Sequence, residues 1–315
     1  MFKKFIVLFL FFFSPHILMA QYAEHVAPEF IKTIQFIGST QQSQLPIIRL
    51  GEKISLSFDA LNGDEADYYY KITHHDFDWK LSDLSKGEYM DGFDDVRLYE
   101  YSNSFNTLRS YSHYMLNIPN RDTRKLTKSG NYMISIYDDE SELVFSKKFM
   151  IIENKVKVDA FVKRARNLKN IETKQVVQFV IDSPNLLLIN PNETVHTLIL
   201  QNSNLNNPII NLKPQYTIGS QLIYRYDKEA SFDAGNEYLF FDNKDIRAGS
   251  SSVRKIDLTD IYNTYLYTNS ARFDRPYTYN PDINGNYQIR ILYPTNDICV
   301  EVGIVNICQV NFSDA

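Results

Sequence analysis

The chain has 315 residues and carries 33 Lys and Arg against 38 Asp and Glu, a net charge of −5. This acidic balance disfavours nucleic acids and anionic membrane surfaces as partners, because both are negatively charged. The 22 Tyr and 21 Phe against only 11 Gly are typical of β-sheets with aromatic rings between them, and the length suggests about two domains.

The first twenty residues have the three regions of a secretory signal peptide. Lys3 and Lys4 precede the apolar run FIVLFLFFF, and the tripeptide LMA ends the segment. The apolar run is shorter than the ~20 residues of a membrane span. We therefore expect export, cleavage between Ala20 and Gln21, and a soluble mature chain with 31 basic against 38 acidic residues, a net charge near −7.

Residues 29–153 contain a succession of short strand patterns with turn signals between them. The run ISLSF at residues 54–58 alternates apolar and polar side chains, and residues 96–101 are predicted to form one strand. About seven such strands, with a turn roughly every ten residues, predict an immunoglobulin-like or fibronectin-like sandwich for residues 21–153. Tyr132 begins the penultimate strand after a glycine turn, as either a tyrosine corner or an ordinary core tyrosine.

The second half is predicted to be another antiparallel β-sandwich, over residues 154–293, so that the fold class is all-β with two sandwiches in tandem. The strand patterns in this half are residues 156–162, 175–181, 195–201, 221–226, 237–241, 253–258, 262–267 and 287–292. No window of twelve residues has a clean helical period, so helices should be few and short. Residues 294–315 are an atypical tail with Cys299 and Cys308, whose spacing permits a disulfide without requiring one.

Residues 76–95 form an acidic, aromatic connection between two strand patterns and include the only tryptophan of the chain. Connections of this length without a helical pattern are usually functional or disordered, and so many rings argue against disorder. We predict an ordered loop that presents its rings to a protein partner. The predicted partner-binding residues are Trp79, Tyr89, Phe93, Tyr99 and Phe105. The alternative is that most rings fold back over the open edge of their own sandwich.

Features that resemble catalytic or metal sites are better explained by ordinary β structure. His74 and His75 are adjacent on a predicted strand and should point to opposite faces, one semi-buried and hydrogen-bonded, the other exposed. Asn284-Gly285 is expected to form a hairpin turn, because Tyr293 stands where a calcium loop needs Glu. Carboxylate pairs occur in turn-like positions, and nucleophile-elbow, phosphate-loop and zinc motifs are missing. We therefore predict no enzyme activity, metal, cofactor or small-molecule substrate.

A set of short sequence runs, in order over residues 29–291, resembles one known family. The runs are 46–52 (PIIRLGE), 57–59 (SFD), 78–82 (DWKLS), 88–93 (EYMDGF), 103–107 (NSFNT), 111–114 (YSHY), 118–120 (IPN), 129–132 (SGNY) and 232–237 (FDAGNE). They are similar to the signature runs of the plug proteins of the type IX secretion translocon. Taken together, these runs are far more specific than any single motif above.

The resemblance implies a periplasmic, all-β, non-enzymatic protein that binds the periplasmic opening of a very large outer-membrane β-barrel used for protein export. Such a protein closes the opening while no cargo is engaged, and it neither holds a cofactor nor inserts into the membrane. Family members continue into a further β-domain, whereas residues 294–315 do not resemble that continuation. The chain is therefore expected to be a truncated or frame-shifted family member.

Two alternatives of other functional classes stay open at this stage. A carbohydrate-binding β-sandwich, associated with a secreted glycoside-processing system, would use Trp79 and its neighbouring rings as a platform for sugars. A purely structural periplasmic or surface protein would need no binding rings at all. Recovery of a very large barrel from solubilised outer membranes together with the chain would separate the plug from both.

Overall fold

The computed structural model describes residues 23–38, 45–63, 65–107, 109–234, 238–243, 250–259 and 262–272. Strands account for 45% of the structure and helices for 3%, and the fold is of the β-sandwich type, which confirms the predicted fold class. Within the described ranges, no helix is long and apolar enough to cross a membrane. The predicted signal peptide, the Asn284-Gly285 turn and both cysteines lie outside the described residues.

The described part of the first half consists of short strands and one helical turn. In chain order these are β1 (Ile31–Ile37), β2 (Ile47–Arg49), β3 (Ile54–Ala60), β4 (Tyr69–His75), α1 (Lys86–Tyr89), β5 (Met90–Gly92), β6 (Val96–Arg97), β7 (Glu100–Asn103), β8 (Ser112–Ile118), β9 (Thr123–Leu126), β10 (Gly130–Tyr137) and β11 (Leu143–Ile152). One sheet has the order β1-β3-β8-β7 and the other β2-β11-β10-β4-β6, while β5 pairs with β9. Only β2 and β11 pair in parallel among these described strands.

Aromatic rings fill the space between the two sheets of the first half. The ring of Phe58 on β3 packs against those of Tyr68, Tyr114 and Phe145, with centroids 5.3, 5.2 and 5.1 Å away. The apolar positions of β3 are buried at every second residue, as the ISLSF alternation predicts. Burial of such large apolar side chains is the main favourable contribution to folding.

Tyr132 on β10 is a tyrosine corner. Its ring is fully buried, and its hydroxyl donates a hydrogen bond of 2.8 Å to the backbone carbonyl of Lys128. Two residues earlier, Gly130 has φ +149° and no room for a side chain, since a Cβ would lie 2.3 Å from Nε2 of His74. Of the two interpretations left open for Tyr132, the corner is therefore confirmed.

The prediction of one continuous strand over residues 96–101 is wrong. The structure divides these residues between two strands that belong to different sheets. β6 pairs with β4 in one sheet, and β7 pairs with β8 in the other. The side chain of Leu98 is buried, and its backbone N–H donates to the carbonyl of Tyr68 at 2.7 Å. This inward turn carries the chain from one sheet to the other, so a single strand cannot continue.

The described part of the second half is also made of strands. These elements are β12 (Lys157–Arg164), β13 (Lys174–Asp182), α2 (Pro191–Thr194), β14 (Leu198–Ile199), β15 (Ile209–Ile210), β16 (Tyr216–Ile218), β17 (Gln221–Tyr224), β18 (Ser231–Asp233), β19 (Val253–Leu258) and β20 (Tyr262–Leu266). The main sheet has the order β12-β13-β17-β16, with β18 also paired to β13. Phe179 and Tyr224 stack at 4.2 Å in its core, and both helices of the described chain are short, as predicted.

Several strands predicted for the second half are shorter than expected or absent. The pattern over residues 195–201 yields only the two-residue β14, because the chain turns at Asn202 and Ser203, which have φ near +53° and +56°. Residues 238–241 are not in a strand, and the pattern over 287–292 lies outside the described residues. Among the described strands, none of the first half pairs with one of the second. The domain bounds 21–153 and 154–293 stay predictions.

Candidate partner-binding surface

The segment from Phe93 to Phe105 carries exposed aromatic rings where the chain passes from one sheet of the first sandwich to the other. β7 is the last strand of one sheet and β6 the last of the other, and Leu98 and Tyr99 connect them directly. Both outer strands therefore close the same side of the sandwich. We call the aromatic residues of this segment the ring-bearing edge, and they are Phe93, Tyr99, Tyr101 and Phe105. Three of the predicted partner-binding residues belong to it, whereas Trp79 and Tyr89 do not.

Phe93 has a rigid backbone and a side chain that is 74% exposed. Its N–H donates to the carbonyl of Asp122 at 2.9 Å, and its own carbonyl accepts from the Thr123 hydroxyl at 2.7 Å. The preceding Gly92 has φ +113°, and a Cβ there would lie 2.0 Å from the Asp122 carbonyl oxygen. Glycine is thus required for this close approach, which fixes the place from which the Phe93 ring extends.

Tyr99 and Phe105 are exposed to a similar degree, at 69% and 90%. Tyr99 directly follows the buried Leu98, which holds the crossing between the sheets. Phe105 follows Ser104, whose backbone N–H donates to the Tyr111 carbonyl at 2.8 Å and whose hydroxyl accepts from the Tyr111 N–H at 2.8 Å. Both rings therefore stand on backbone that is fixed on at least one side.

Tyr101 anchors β7 to the neighbouring loop rather than pointing freely into solvent. Its ring stacks on that of Tyr114 at 5.6 Å, and its hydroxyl donates to the Glu65 carboxylate at 2.8 Å. The amide of Asn103 donates to the same carboxylate. The Tyr101 hydrogen bond, followed by that of Asn103, holds the pKa of Glu65 below its usual value, and it raises the pKa of Tyr101 in turn.

Three acidic residues near the ring-bearing edge are paired with cations of the same chain. Between the side-chain nitrogen and the carboxylate oxygen, the distance is 2.6 Å for Arg124 and Asp91, 3.4 Å for Lys71 and Asp95, and 2.6 Å for Arg97 and Asp67. These exposed pairs contribute little to stability. They neutralise part of the charge near the rings, whereas Glu65 and Glu100 accept hydrogen bonds from neutral groups, so this surface offers a partner both apolar rings and negative charge.

Tyr89 is buried at the end of α1, so its ring is not on the surface. Its hydroxyl donates to the carbonyl of Ile72 at 3.1 Å, and its ring stacks on His74 with centroids 5.6 Å apart. The ring of Tyr132 lies beyond, at 6.1 Å from that of Tyr89. Tyr89 thus covers the open end of its own sandwich, which is the fold-back alternative that the sequence left open.

Trp79 is buried as well, on the outer face of the sheet that contains β4 and β11. Its ring packs with Leu45 and Met150, and two leucines of the second half, Leu200 and Leu205, pack against the same cluster. The Lys148 ammonium lies 4.3 Å from its ring centroid. A buried ring cannot contact a partner without leaving this packing. The structure places the rings of Trp79 and Tyr89 inside the protein. Their predicted contact with a partner stays a prediction.

His74 and His75 point to opposite faces of β4, as predicted, but neither is exposed. His74 Nδ1 lies 2.8 Å from the Ser82 hydroxyl oxygen, and His75 Nδ1 lies 3.1 Å from the carbonyl oxygen of Trp79. The prediction of one exposed histidine is wrong, because the turn that carries Trp79 folds back over His75. This burial lowers the pKa of His75.

The turn that carries Trp79 also includes a residue that sequence reasoning missed. Phe77 stacks on His196, with centroids 3.7 Å apart and planes inclined by 10°. The only signal for this contact is a second ring two positions before Trp79, and nothing near His196 indicates a partner so far along the chain. The turn therefore connects the two halves of the chain.

The potential metal ligands among the described residues do not form a cluster. Within these ranges, no group of three or more His, Asp, Glu or Cys side chains is close enough to hold a metal ion. A cavity of about 200 Å³ lies between Ile54, Ile118 and Ile151, with Glu52 and Lys125 also lining it. Ligand pockets are usually larger, roughly 300–1,000 Å³, so this cavity adds no argument for a small-molecule site.

Comparison with known proteins places the first sandwich in a described group. A family model for the first domain of the type 9 secretion system plug protein matches residues 31–153, which include the whole ring-bearing edge. A crystal structure of a hypothetical protein from Parabacteroides merdae ATCC 43184 is similar over 87% of this chain and 70% of that one, with 30% sequence identity and a TM-score of 0.78. None of the curated proteins matches the chain. The family resemblance drawn from the short sequence runs is confirmed.

Proposed function

The chain belongs to the type IX secretion system plug protein family, and on that premise we propose that it is a non-enzymatic plug. It binds and seals the periplasmic opening of the large outer-membrane translocon barrel. The observation that carries this proposal is the ring-bearing edge, where Phe93, Tyr99 and Phe105 are exposed on a fixed backbone. Rings that are already held in place lose less conformational entropy when they bind.

A plug must also be rigid, and the described packing supports that requirement. A wide pore leaks unless a body of fixed shape covers it, and β-sandwiches with loops at their edges provide such a body. The fully buried rings of Phe58, Tyr132 and Phe149 give the first sandwich an interior that resists deformation. The ring-bearing edge is thus proposed as the part that meets the barrel.

The proposal includes a location and a division of the chain. Export would place the chain in the periplasm after cleavage between Ala20 and Gln21, associated with the outer membrane through the barrel and not by insertion. Residues 21–153 would fold as the barrel-binding sandwich and 154–293 as the second domain. Analysis of the mature N-terminus of periplasmic material tests the first statement, since retention of Met1 would contradict export by cleavage.

The carbohydrate-binding alternative loses its main support in the structure. That alternative relied on Trp79 as the centre of an exposed platform, and the ring is buried between Leu45, Met150 and the second half. Sugar platforms need the face of a ring in solvent. Of the exposed rings that remain, Phe93 precedes β6, Tyr99 lies between β6 and β7, and Phe105 follows β7, and this spacing along the chain suits an extended protein contact.

A pull-down with matched variants tests the plug and its contact surface separately. Detergent-solubilised outer membranes would be passed over the immobilised chain and over the triple variant Phe93→Ser, Tyr99→Ser, Phe105→Ser. The control is the double variant Leu168→Ser, Leu187→Ser, which removes equally exposed apolar side chains from the second half. We expect recovery of the barrel by wild type and control but not by the triple variant. No barrel with the wild type overturns the plug, whereas unchanged recovery by the triple variant overturns only the ring-bearing edge.

A further inference from the structure

β12 is an outer strand whose second edge has no partner strand among the described residues. It pairs along its full length with β13, from Lys157 opposite Asp182 to Arg164 opposite Gln175. All eight of its residues are exposed. An outer strand of this length presents a row of unpaired backbone N–H and C=O groups, which is a template for adding another strand.

One face of β12 continues the apolar core face of the second half into solvent. Val158 and Val162 lie opposite Ile181 and Val177 of β13, and Ala160 lies between them. Val158 is 55% exposed and Val162 is 65% exposed, although their neighbours on β13 face the core. The other face of the strand carries Asp159, Phe161 and Lys163, since side chains alternate.

The sequence of β12 is complementary to itself in one antiparallel register. When Phe161 of one copy stands opposite Phe161 of a second, Asp159 stands opposite Lys163, and Ala160 stands opposite Val162. The symmetry repeats each of these contacts, so two carboxylate–ammonium pairs flank a central pair of rings. Opposite charges and aromatic residues directly across an antiparallel ladder stabilise it.

Neighbouring registers lose this complementarity. A slip by two residues in one direction places Lys157 opposite Lys163, and a slip in the other places Lys163 opposite Phe161. A slip by one residue reverses the faces of one strand, so that the face with Val158 and Val162 in one copy would adjoin the face with Asp159 and Lys163 in the other. Charged residues such as Lys157 and Lys163 normally discourage pairing of outer strands, but in the favoured register Asp159 neutralises Lys163.

From these observations we propose that a second copy of this chain is the partner of β12. The two strands pair antiparallel about a twofold axis at Phe161, and the main sheet of the second half then runs through both copies. Such an interface is isologous, with the same patch on both sides. Within each copy, Asp159 also lies 2.8 Å from Lys157, and Lys163 donates to Gln178 at 3.2 Å, which holds both side chains on the shared face. This inference does not depend on the plug proposal.

Charge variants of the full mature chain test the register directly by sedimentation equilibrium. In Asp159→Lys, each of the two pairs becomes Lys opposite Lys, and in Lys163→Asp each becomes Asp opposite Asp. Each variant alone should lose at least about tenfold in dimer affinity. An equimolar mixture of the two restores both pairs and should regain an affinity within about threefold of wild type. Glu229→Lys, an exposed change of the same charge outside β12, should leave the affinity unchanged.

Hydrogen exchange of the β12 amides tells the second copy apart from other occupants. Protection of residues 157–164 should increase with protein concentration, because only the dimer pairs the second edge. A chain that stays monomeric at every concentration overturns the proposal. Protection that is complete in the dilute monomer also overturns it, since another part of the same chain would then cover β12. A dimer that ignores the charge changes overturns the register and the proposal with it.

Discussion

The ring of Phe77 lies flat on the imidazole of His196, with 3.7 Å between the centroids. Phe77 belongs to the turn after β4 and His196 follows α2, so this stack connects two halves that share no strand pairing in the described chain. Two residues further on, Trp79 packs in the same direction, against the cluster that Leu200 and Leu205 complete. The turn at residues 76–80 therefore acts as an internal joint, distinct from the ring-bearing edge.

Replacing Trp79 with Ala should destabilise the chain by about 3–5 kcal/mol, because a large buried ring is removed from packed surroundings. Chemical denaturation followed by circular dichroism measures the free energy of unfolding. Leu168→Ala is the control, since Leu168 is 84% exposed, and it should change that free energy by less than about 0.5 kcal/mol. Similar effects of the two changes would contradict the burial of Trp79.

The stack of Phe77 on His196 should appear as a coupling energy in a double-mutant cycle. Phe77→Ala, His196→Ala and the double variant should give an interaction of about 0.5–1.5 kcal/mol in the free energy of unfolding, because aromatic pairs contribute this much beyond burial. The pair Phe105→Ala and His196→Ala serves as the control and should be additive. Additivity in both cycles would mean that the joint does not depend on this stack.

Local patterns predicted much of the first sandwich, and contacts distant in sequence explain the errors. Alternation in β3 and the glycine turn before Tyr132 are local signals, and both led to correct predictions. The burial of Trp79 depends on leucines more than a hundred residues later, which no local pattern indicates. The same turn buries His75, so the expectation of an exposed histidine failed for the same reason.

Only part of the candidate site could be predicted from the sequence. The density of rings along the chain does not show which rings face solvent. Phe93, Tyr99 and Phe105 are exposed as expected, whereas Tyr89, which shares the 76–95 connection with Phe93, turns inward. The difference arises from α1, a single helical turn. Tyr89 is its last residue, and this position places the Tyr89 ring over His74. One turn of four residues is too short to produce a helical period in the sequence.

His113 should make stability depend on pH in a defined direction. Its Nδ1 lies 2.7 Å from Asp59 Oδ1, and this hydrogen bond raises the pKa of His113 above 6.5 although burial opposes the shift. A raised pKa in the folded state contributes stability fully below pH ~6.5, and that contribution is lost as the pH rises through the folded pKa. We expect a loss of less than about 1 kcal/mol, because His113 is partly exposed.

The variant His113→Asn isolates this effect from that of other histidines. Burial lowers the pKa of His75, so its contribution has the opposite sign and is lost as the pH falls below ~6.5. The difference in unfolding free energy between wild type and His113→Asn cancels the His75 contribution. That difference should shrink as the pH rises from about 5 to about 8; a constant difference would mean that the Asp59 contact does not shift the pKa.

Gly92→Ala should cost about 1–3 kcal/mol of stability, because φ at this position is +113° and the new Cβ would meet the Asp122 carbonyl oxygen. Gly87→Ala is the matched control, since a Cβ there has nothing within 4 Å and the residue lies in α1. The control should be neutral or stabilising by up to about 1 kcal/mol. Thermal unfolding of both variants decides whether the Gly92 turn fixes Phe93 as the structure indicates.

Removing an exposed ring should weaken binding, whereas removing a buried ring should reduce stability, when both quantities are measured on the same variants. Phe93→Ala and Phe105→Ala should each weaken binding to the solubilised barrel by about 1–3 kcal/mol, because exposed aromatic residues on a fixed backbone are typical anchors of interfaces. Their free energies of unfolding should change by less than about 0.5 kcal/mol, since neither ring packs in the core.

Tyr89→Ala provides the contrast, with a cost of about 3–5 kcal/mol in stability, because its ring fills the space beside His74 and Tyr132. Its binding, corrected for the folded fraction, should equal that of the wild type. In cells, loss of the two exposed rings should admit large antibiotics through an unsealed pore, while the protein stays folded and abundant. If instead folded Tyr89→Ala fails to bind and the two phenylalanine variants bind normally, the contact surface lies at the α1 end of the sandwich and not at the ring-bearing edge.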